Sequence, residues 1–244
     1  MSTETAELIN YHFFLSIIQI GEKMSVFILL NCKTYDEGTG ANAVKLAEAC
    51  RTVAESSGVE IAIAPQIPDI FRTANAVDIP VYSQHVDGAG PGSKTGHVYV
   101  KSIKDAGAIG SLINHAERRL TLADIEAAAT ILKTNQMKSV ICTNNVATTA
   151  AAAVFEPDYV AIEPPELIGS GIPVSKADPG VVTDSVEAVK KINPNVKVLC
   201  GAGISKGEDL KAAIELGAQG VLLASGIVKA KDPTEALYDL VSLI

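Results

Sequence analysis

The sequence predicts an α/β fold: a single (β/α)8 barrel preceded by an N-terminal extension. Three observations lead there. Short apolar runs alternate with amphipathic stretches eight times between Met24 and Ile244. The runs are near-continuous, which suits strands buried on both faces, paired in parallel and covered by helices. No linker or composition break divides the series, so the eight units form one domain and eight such units close a barrel. A doubly wound open sheet is the alternative that the same pattern admits. From Met24 the domain has 221 residues, against roughly 250 for a typical barrel. Its helices are therefore expected to be short, leaving apolar flank for an oligomeric contact.

The elements follow in order. Val26 to Asn31 is the first strand, and its helix places Ala43, Leu46, Ala47, Cys50 and Ala54 on one face. Gly58 is a natural residue to end that helix, because glycine adopts the left-handed conformation without strain. Val59 to Ala64 is the second strand, followed by a helix around Ile67 to Ala76. Val81 to Gln84 is the third, followed by a glycine-rich loop from His85 to Tyr99 and a short helix near Lys101 to Asp105. Ile109 to Asn114 is the fourth; Thr121 and Asp124 then open a helix with Ile125, Ala128, Ala129 and Leu132 in register. Ser139 to Thr143 is the fifth, with an alanine-rich helix after it. Tyr159 to Glu163 is the sixth, with a helix from Pro179 to Ile192. Val196 to Cys200 is the seventh, where Ser205 and Glu208 form an expected capping box for a helix ending at Gly217. Gly220 to Leu223 is the eighth. Asp232 and Pro233 cap a last helix with Leu237, Leu240, Val241 and Ile244 on one face.

Composition excludes some partners. The formal net charge of −8 argues against a nucleic-acid or anionic-membrane surface, while leaving room for a local cationic pocket. Cys32, Cys50, Cys142 and Cys200 are scattered, without a C-x-x-C pair. They read as reduced and buried, with no disulfide or metal role, in an intracellular, cytoplasmic protein. The apolar run Tyr11 to Ile20 is too short to span a bilayer and lacks the flanks of a signal peptide. Residues 1–23 are expected to stand outside the barrel, as an extension or a misassigned start, or to pack on it or on a neighbouring subunit.

In a barrel the C-terminal strand ends share one face. The first tip carries Asn31-Cys32-Lys33, where a lysine is either snorkelling or a fixed cation awaiting an anion. The fourth carries Asn114-His115-Ala116-Glu117-Arg118-Arg119, and a histidine before a helix start is readily held neutral. Glu117 is expected to buttress Lys33. The sixth carries Glu163, then Pro164 and Pro165, then Leu167 to Gly171, a carboxylate followed by a stiff-ended loop. The seventh and eighth carry glycine-rich turns, Cys200 to Ser205 and Leu223 to Gly226. Small residues there let backbone N–H groups approach an anion.

This ordered set, N-x-K, N-H-x-E-R-R, E-P-P-E-L-I-G-S-G, C-G-A-G-I and L-L-A-S-G, closely resembles the triosephosphate isomerase family, in its short archaeal type, from Met24 to Ile244. The resemblance implies interconversion of dihydroxyacetone phosphate and D-glyceraldehyde 3-phosphate, with no metal and no organic cofactor. It implies Glu163 as the base, His115 as the neutral donor to the substrate oxygen, and Lys33, held by Asn31, as the cation. Amides at Ile168, Gly203, Ala224 and Ser225 would grip the phosphate. Closure of the loop Pro164 to Gly171 would dry the site and protect the enediolate. In the family, loop three reaches into a neighbouring subunit; here Thr95, within Gly92 to His97, is the expected contact of a homo-oligomer, dimer or tetramer. Ala116 departs from the family's usual serine, Cys32 stands where a bulkier residue is common, and the N-terminal extension has no counterpart. Two rivals remain at this point: another phosphate-binding barrel, such as a sugar-phosphate epimerase, or a non-catalytic barrel. The first has no reason to assemble Lys33, His115 and Glu163, and the second would show a damaged base or electrophile.

Overall fold

Eight parallel strands occur in the computed structural model, which describes residues 26–168 and 171–244. The extension expected over residues 1–23, and Gly169 and Ser170 of the loop after the sixth strand, lie outside the described residues. The strands are β1 (Phe27–Asn31), β2 (Glu60–Ala64), β3 (Tyr82–Ser83), β4 (Gly110–Ile113), β5 (Lys138–Thr143), β6 (Tyr159–Ile162), β7 (Lys197–Gly201) and β8 (Gly220–Leu223). Their order in the sheet is β2-β1-β8-β7-β6-β5-β4-β3, with every neighbouring pair parallel. A parallel bridge between Ile63 and Val81 joins the two ends of that order. The Ile63 amide donates to the Pro80 carbonyl at 3.0 Å beside it. The sheet therefore runs round on itself, and the doubly wound alternative, whose strand order reverses, does not apply.

Side chains alternate across each strand, which sorts the buried residues into two sets. Phe27, Leu29, Ala62, Leu112, Val140, Cys142, Tyr159, Ala161, Leu199 and Leu222 form a cluster of their own, filling the barrel. Ile28, Leu30, Ile61, Ile63, Ile113, Ile141, Val160, Ile162, Val198 and Val221 belong to the layer packed under the helices. Towards the N-terminal strand ends the inner cluster closes on Phe27, whose ring stacks on Tyr159 at 4.8 Å between centroids and lies 6.0 Å from Tyr82. Gly220 is required there: a β-carbon on it would overlap the Phe27 carbonyl on the adjacent strand.

Between the strands lie α1 (Ala41–Ser57), α2 (Ile70–Ala76), α3 (Val100–Asp105), α4 (Leu122–Thr134), α5 (Val146–Ala153), α6 (Val174–Ala177), α7 (Pro179–Ile192), α8 (Gly207–Glu215), α9 (Ser225–Val228) and α10 (Pro233–Val241). Gly58 ends α1 in the left-handed conformation, φ 74°, and Thr121 caps α4 by accepting from the Asp124 amide, both as expected. Four details differ. β3 is shorter than the apolar run, because Val81 makes only an isolated bridge, to Ile63, and Gln84 lies past the last ladder pair. The cap of α8 is Asp209, whose Oδ2 accepts from the Ser205 and Lys206 amides at 3.2 Å each, rather than the Ser205–Glu208 pair. Asp209 is buried there, where Glu208 faces solvent. Ile244 lies past the end of α10 and is 44% exposed. Two four-residue helices, α6 and α9, have no periodic signal in the sequence, being barely one turn long. No helix among the described residues is long and apolar enough to cross a membrane.

Candidate active site

The C-terminal strand ends surround a cavity, open on one side. Asn31, Lys33, His115 and Glu163 line it, as do Ile168, Gly203, Ala224 and Ser225. All eight residues singled out from the sequence thus border one space.

β1 delivers Asn31 and Lys33. Asn31 continues the inward parity of Phe27 and Leu29 and is buried, 4% exposed. Its Oδ1 accepts from the Lys33 amide at 2.9 Å. Lys33 has φ 49°, a left-handed conformation that a lysine holds only when its surroundings impose it. Two bonds impose it: the one from Asn31, and Gln84 Nε2 from the end of β3, donating to the Lys33 carbonyl at 2.9 Å. The Lys33 ammonium then meets Glu117 Oε1 at 2.8 Å, as expected of Glu117.

β4 delivers His115. Strict alternation would send it outward with Ile113. Asn114 breaks the alternation with φ 61°, and asparagine tolerates that region better than most residues. Asn114 is held by both ends of its amide: Oδ1 accepts from the Leu120 amide at 2.8 Å and Nδ2 donates to the Cys142 carbonyl at 3.0 Å. His115 Nδ1 accepts from the Glu117 amide at 3.2 Å. A nitrogen that accepts carries no proton, so the ring is neutral with its hydrogen on Nε2, facing the cavity.

β6 delivers Glu163, inward by the parity of Tyr159 and Ala161. Its amide still bonds the Thr143 carbonyl at 2.8 Å before Pro164 ends the strand. The residue is 6% exposed. Burial raises its carboxyl above the ordinary range; the Lys33 ammonium and a contact from the Cys142 thiol pull it back only in part. His115 Nε2 and Glu163 Oε2 lie 3.5 Å apart, and neither has a hydrogen-bond partner among the described residues. Buried polar atoms are nearly always paired, so a donor and an acceptor left open at one cavity wall mark where a ligand's polar atoms belong.

β7 and β8 supply the opposite wall. Ala202 and Gly203 both have positive φ, 54° and 74°, which bends the chain away from β7. A β-carbon on Gly203 would overlap the Ile172 carbonyl, and one on Gly201 would overlap Glu163 Cγ. Gly201 therefore makes the space in which Glu163 sits. α9 begins at Ser225, and its first amides have no carbonyl one turn back to bond. Beside the main cavity lies a second, lined by Lys33, Gln66, Gln84, His115, Glu117 and Arg118. Sequence reasoning missed Tyr35, which also borders the main cavity. It missed the roles of Gly201 and Cys142 too, although inward parity along β7 and β5 points to both.

A sequence model described as triosephosphate isomerase matches residues 26–243. The triosephosphate isomerase of Methanosarcina acetivorans is 70% identical over 220 residues, covering 90% of this chain and 99% of that one. That of Methanococcoides burtonii is 71% identical over 221 residues, 91% of this chain and 100% of its own. That of Methanocaldococcus jannaschii is 54% identical over 219 residues, 90% and 100%. Among solved structures, triosephosphate isomerase from Bartonella henselae superposes with a TM-score of 0.72 at 19% identity, covering 88% of this chain and 98% of that chain, a likeness of fold.

Proposed function

The chain belongs to the triosephosphate isomerase family, and from that premise we propose which of its residues carry the reaction. The enzyme interconverts dihydroxyacetone phosphate and D-glyceraldehyde 3-phosphate through an enediolate, a step of glycolysis and gluconeogenesis. Glu163 is the base that takes the proton from carbon beside the carbonyl and returns it to the neighbouring carbon. A carboxylate raised towards neutrality by burial is a better base than one in water. His115, with its proton on Nε2, donates to the carbonyl oxygen and then to the enediolate oxygen. Lys33, oriented by Asn31, places positive charge where that oxygen becomes negative; fixed donors meet the charge without reorganisation.

The phosphate is gripped by backbone amides at Ile168, Gly203, Ala224 and Ser225. Ile168 and Gly171 already border the cavity, and the loop from Pro164 to Gly171 excludes water from the enediolate. We take residues 24–244 as the catalytic domain and 1–23 as an extension; an intact mass corresponding to a start at Met24 would show that the extension is not made. A homo-oligomer is the working form, and Thr95, on the exposed loop Gly92 to His97, is the residue a second copy offers to the cavity beside Lys33. Four free, buried cysteines support a cytoplasmic location.

One observation carries this assignment: the unpaired Nε2 of His115 and Oε2 of Glu163, 3.5 Å apart over a cavity that Lys33 also enters. Turnover of both triose phosphates in coupled assays, with solvent deuterium entering the product carbon, tests it. Full activity in Glu163→Gln would remove the base from its role.

A further inference from the structure

Tyr35 and Lys229 come from the two ends of the domain and meet at the cavity's edge. Lys229 Nζ stands 4.3 Å from the centroid of the Tyr35 ring, well within cation–π range. Tyr35 follows the strained Lys33 by two residues and lines the same cavity. Its carbonyl accepts from the Gly38 amide at 2.9 Å and the Thr39 hydroxyl at 2.8 Å, so its backbone opens the small turn Asp36–Gly38. Lys229 closes α9, its amide bonding the Ser225 carbonyl at 3.1 Å. Among the described residues, no carboxylate lies within ion-pair distance of Lys229. A lysine without an acidic partner, seated on a ring, has the ring as its reason to be there.

We propose that the Lys229–Tyr35 stack is a positioning device: it holds the Tyr35 wall of the cavity against the β8–α9 turn and so sets affinity for the phosphate end of the substrate. β1 and β8 are paired side by side up to Leu30 and Leu223, so the turns that follow them are adjacent. The stack joins those turns beyond the last ladder pair. Upstream, Lys33 is fastened by Asn31 and Gln84; downstream, it is fastened through Tyr35 to the element that begins at Ser225. Lys229 touches no reacting atom. Its loss should loosen the wall and weaken phosphate binding, leaving the proton transfers at Glu163 and His115 unaltered.

The inference rests on the assignment of the cavity to substrate, and the test separates the two. Lys229→Met is compared with Lys229→Arg, Tyr35→Leu and the double variant, reading kcat, KM and inhibition by inorganic phosphate. Lys229→Met should raise KM and the phosphate inhibition constant together by about two- to fivefold, with kcat kept. Lys229→Arg should recover both, since a guanidinium also stacks on a ring. Lys229→Met should add nothing to Tyr35→Leu in the double variant. Unchanged KM in Lys229→Met, failure of arginine to rescue, multiplied effects in the double variant, or a fall in kcat would each overturn the proposal. Should Tyr35→Leu not fold, the methionine–arginine pair decides alone. If Lys33→Ala also left KM and phosphate inhibition untouched, the cavity assignment itself would fall instead.

Discussion

Two carboxylates flank one four-residue strand and are treated in opposite ways. Asp158 stands immediately before β6 and Glu163 immediately after it. Asp158 uses both oxygens: Oδ1 meets Lys138 Nζ at 2.6 Å and Oδ2 accepts from the Ser139 amide at 2.9 Å. Its side chain keeps 29% of its surface in solvent. Glu163 is buried, and its Oε2 has no partner among the described residues. The same contrast holds around the rims. The N-terminal end is closed by the Phe27, Tyr82 and Tyr159 rings, whereas the C-terminal end holds left-handed Lys33, Asn114 and Ala202 around an open cavity. One end of the barrel is closed by its own side chains, and the other opens into the cavity. The N-terminal rim has left-handed residues too, Gln136 and Glu156, but only the C-terminal rim joins such backbone to open polar atoms, His115 Nε2 and Glu163 Oε2, at one cavity, which fits chemistry there.

The sharpest way to break this contrast is to remove the two carboxylates in turn. Glu163→Gln should lower turnover by about 10²–10⁴-fold, the usual worth of a positioned base. Glu163→Asp, which withdraws the carboxylate by one methylene, should cost on the order of 100-fold with inhibitor binding nearly kept. Steady-state turnover in both directions measures this, and a loss under tenfold for either would contradict the role. Because burial holds the Glu163 carboxyl above its ordinary range, the acid limb of kcat/KM should lie above about pH 4.3, the value of a free glutamate.

A smaller effect tests whether the cavity end is tuned by shape as well as by charge. A β-carbon at Gly201 would overlap Glu163 Cγ. Gly201→Ala should therefore move the base and lower kcat by about 10–100-fold, since a misplacement near 1 Å is worth up to that much. Far-ultraviolet circular dichroism should be unaltered. Wild-type turnover in this variant would mean the base tolerates displacement.

Gly201 also shows where legibility in the sequence ends. The strand–helix alternation revealed the eight units, and the motif order brought Asn31, Lys33, His115, Glu163 and the phosphate turns to one rim. Those signals are local: a run, a period, a residue after a strand. Gly201 lies inside a motif, yet its function is an absence of atoms beside a residue 38 positions earlier, visible only once β6 and β7 are paired. Tyr35 and Lys229 meet only because the barrel closes β1 onto β8. Asp209 took the cap expected of Ser205 and Glu208 because it is the buried one of two adjacent acids, and burial is not local. The helices α6 and α9 are too short to show a period at all.

Stability should separate the two carboxylates by sign, not only by size. The fold raises the Glu163 carboxyl, so it favours the protonated form. That contribution is complete below the unfolded value of about 4.3 and is lost as pH rises through the higher folded value. At pH 7 Glu163 therefore costs stability, and Glu163→Gln should raise Tm. The gain should shrink as pH falls towards 4.5. Equal Tm differences at both pH values would show that the charge of Glu163 is not what burial penalises.

Asp158→Asn should produce the smallest change and in the opposite direction. The amide can still accept from Ser139 through one oxygen but loses the charge that faces Lys138. A half-exposed pair of this kind is worth at most about 1 kcal/mol, because water screens it and the lysine keeps its freedom. Thermal or urea unfolding should report a loss of that order at pH 7, and turnover should remain within twofold. If Asp158→Asn instead stabilised the protein as Glu163→Gln does, both ends of β6 would be carrying unpaired charge, and the difference between the rims would not come from satisfied against open groups. If it lowered turnover tenfold, the N-terminal rim would be mechanically coupled to the base through the four residues of β6. The expected pair of results, a small loss at Asp158 and a gain at Glu163, would place the destabilised carboxylate at the end of the strand where the substrate binds.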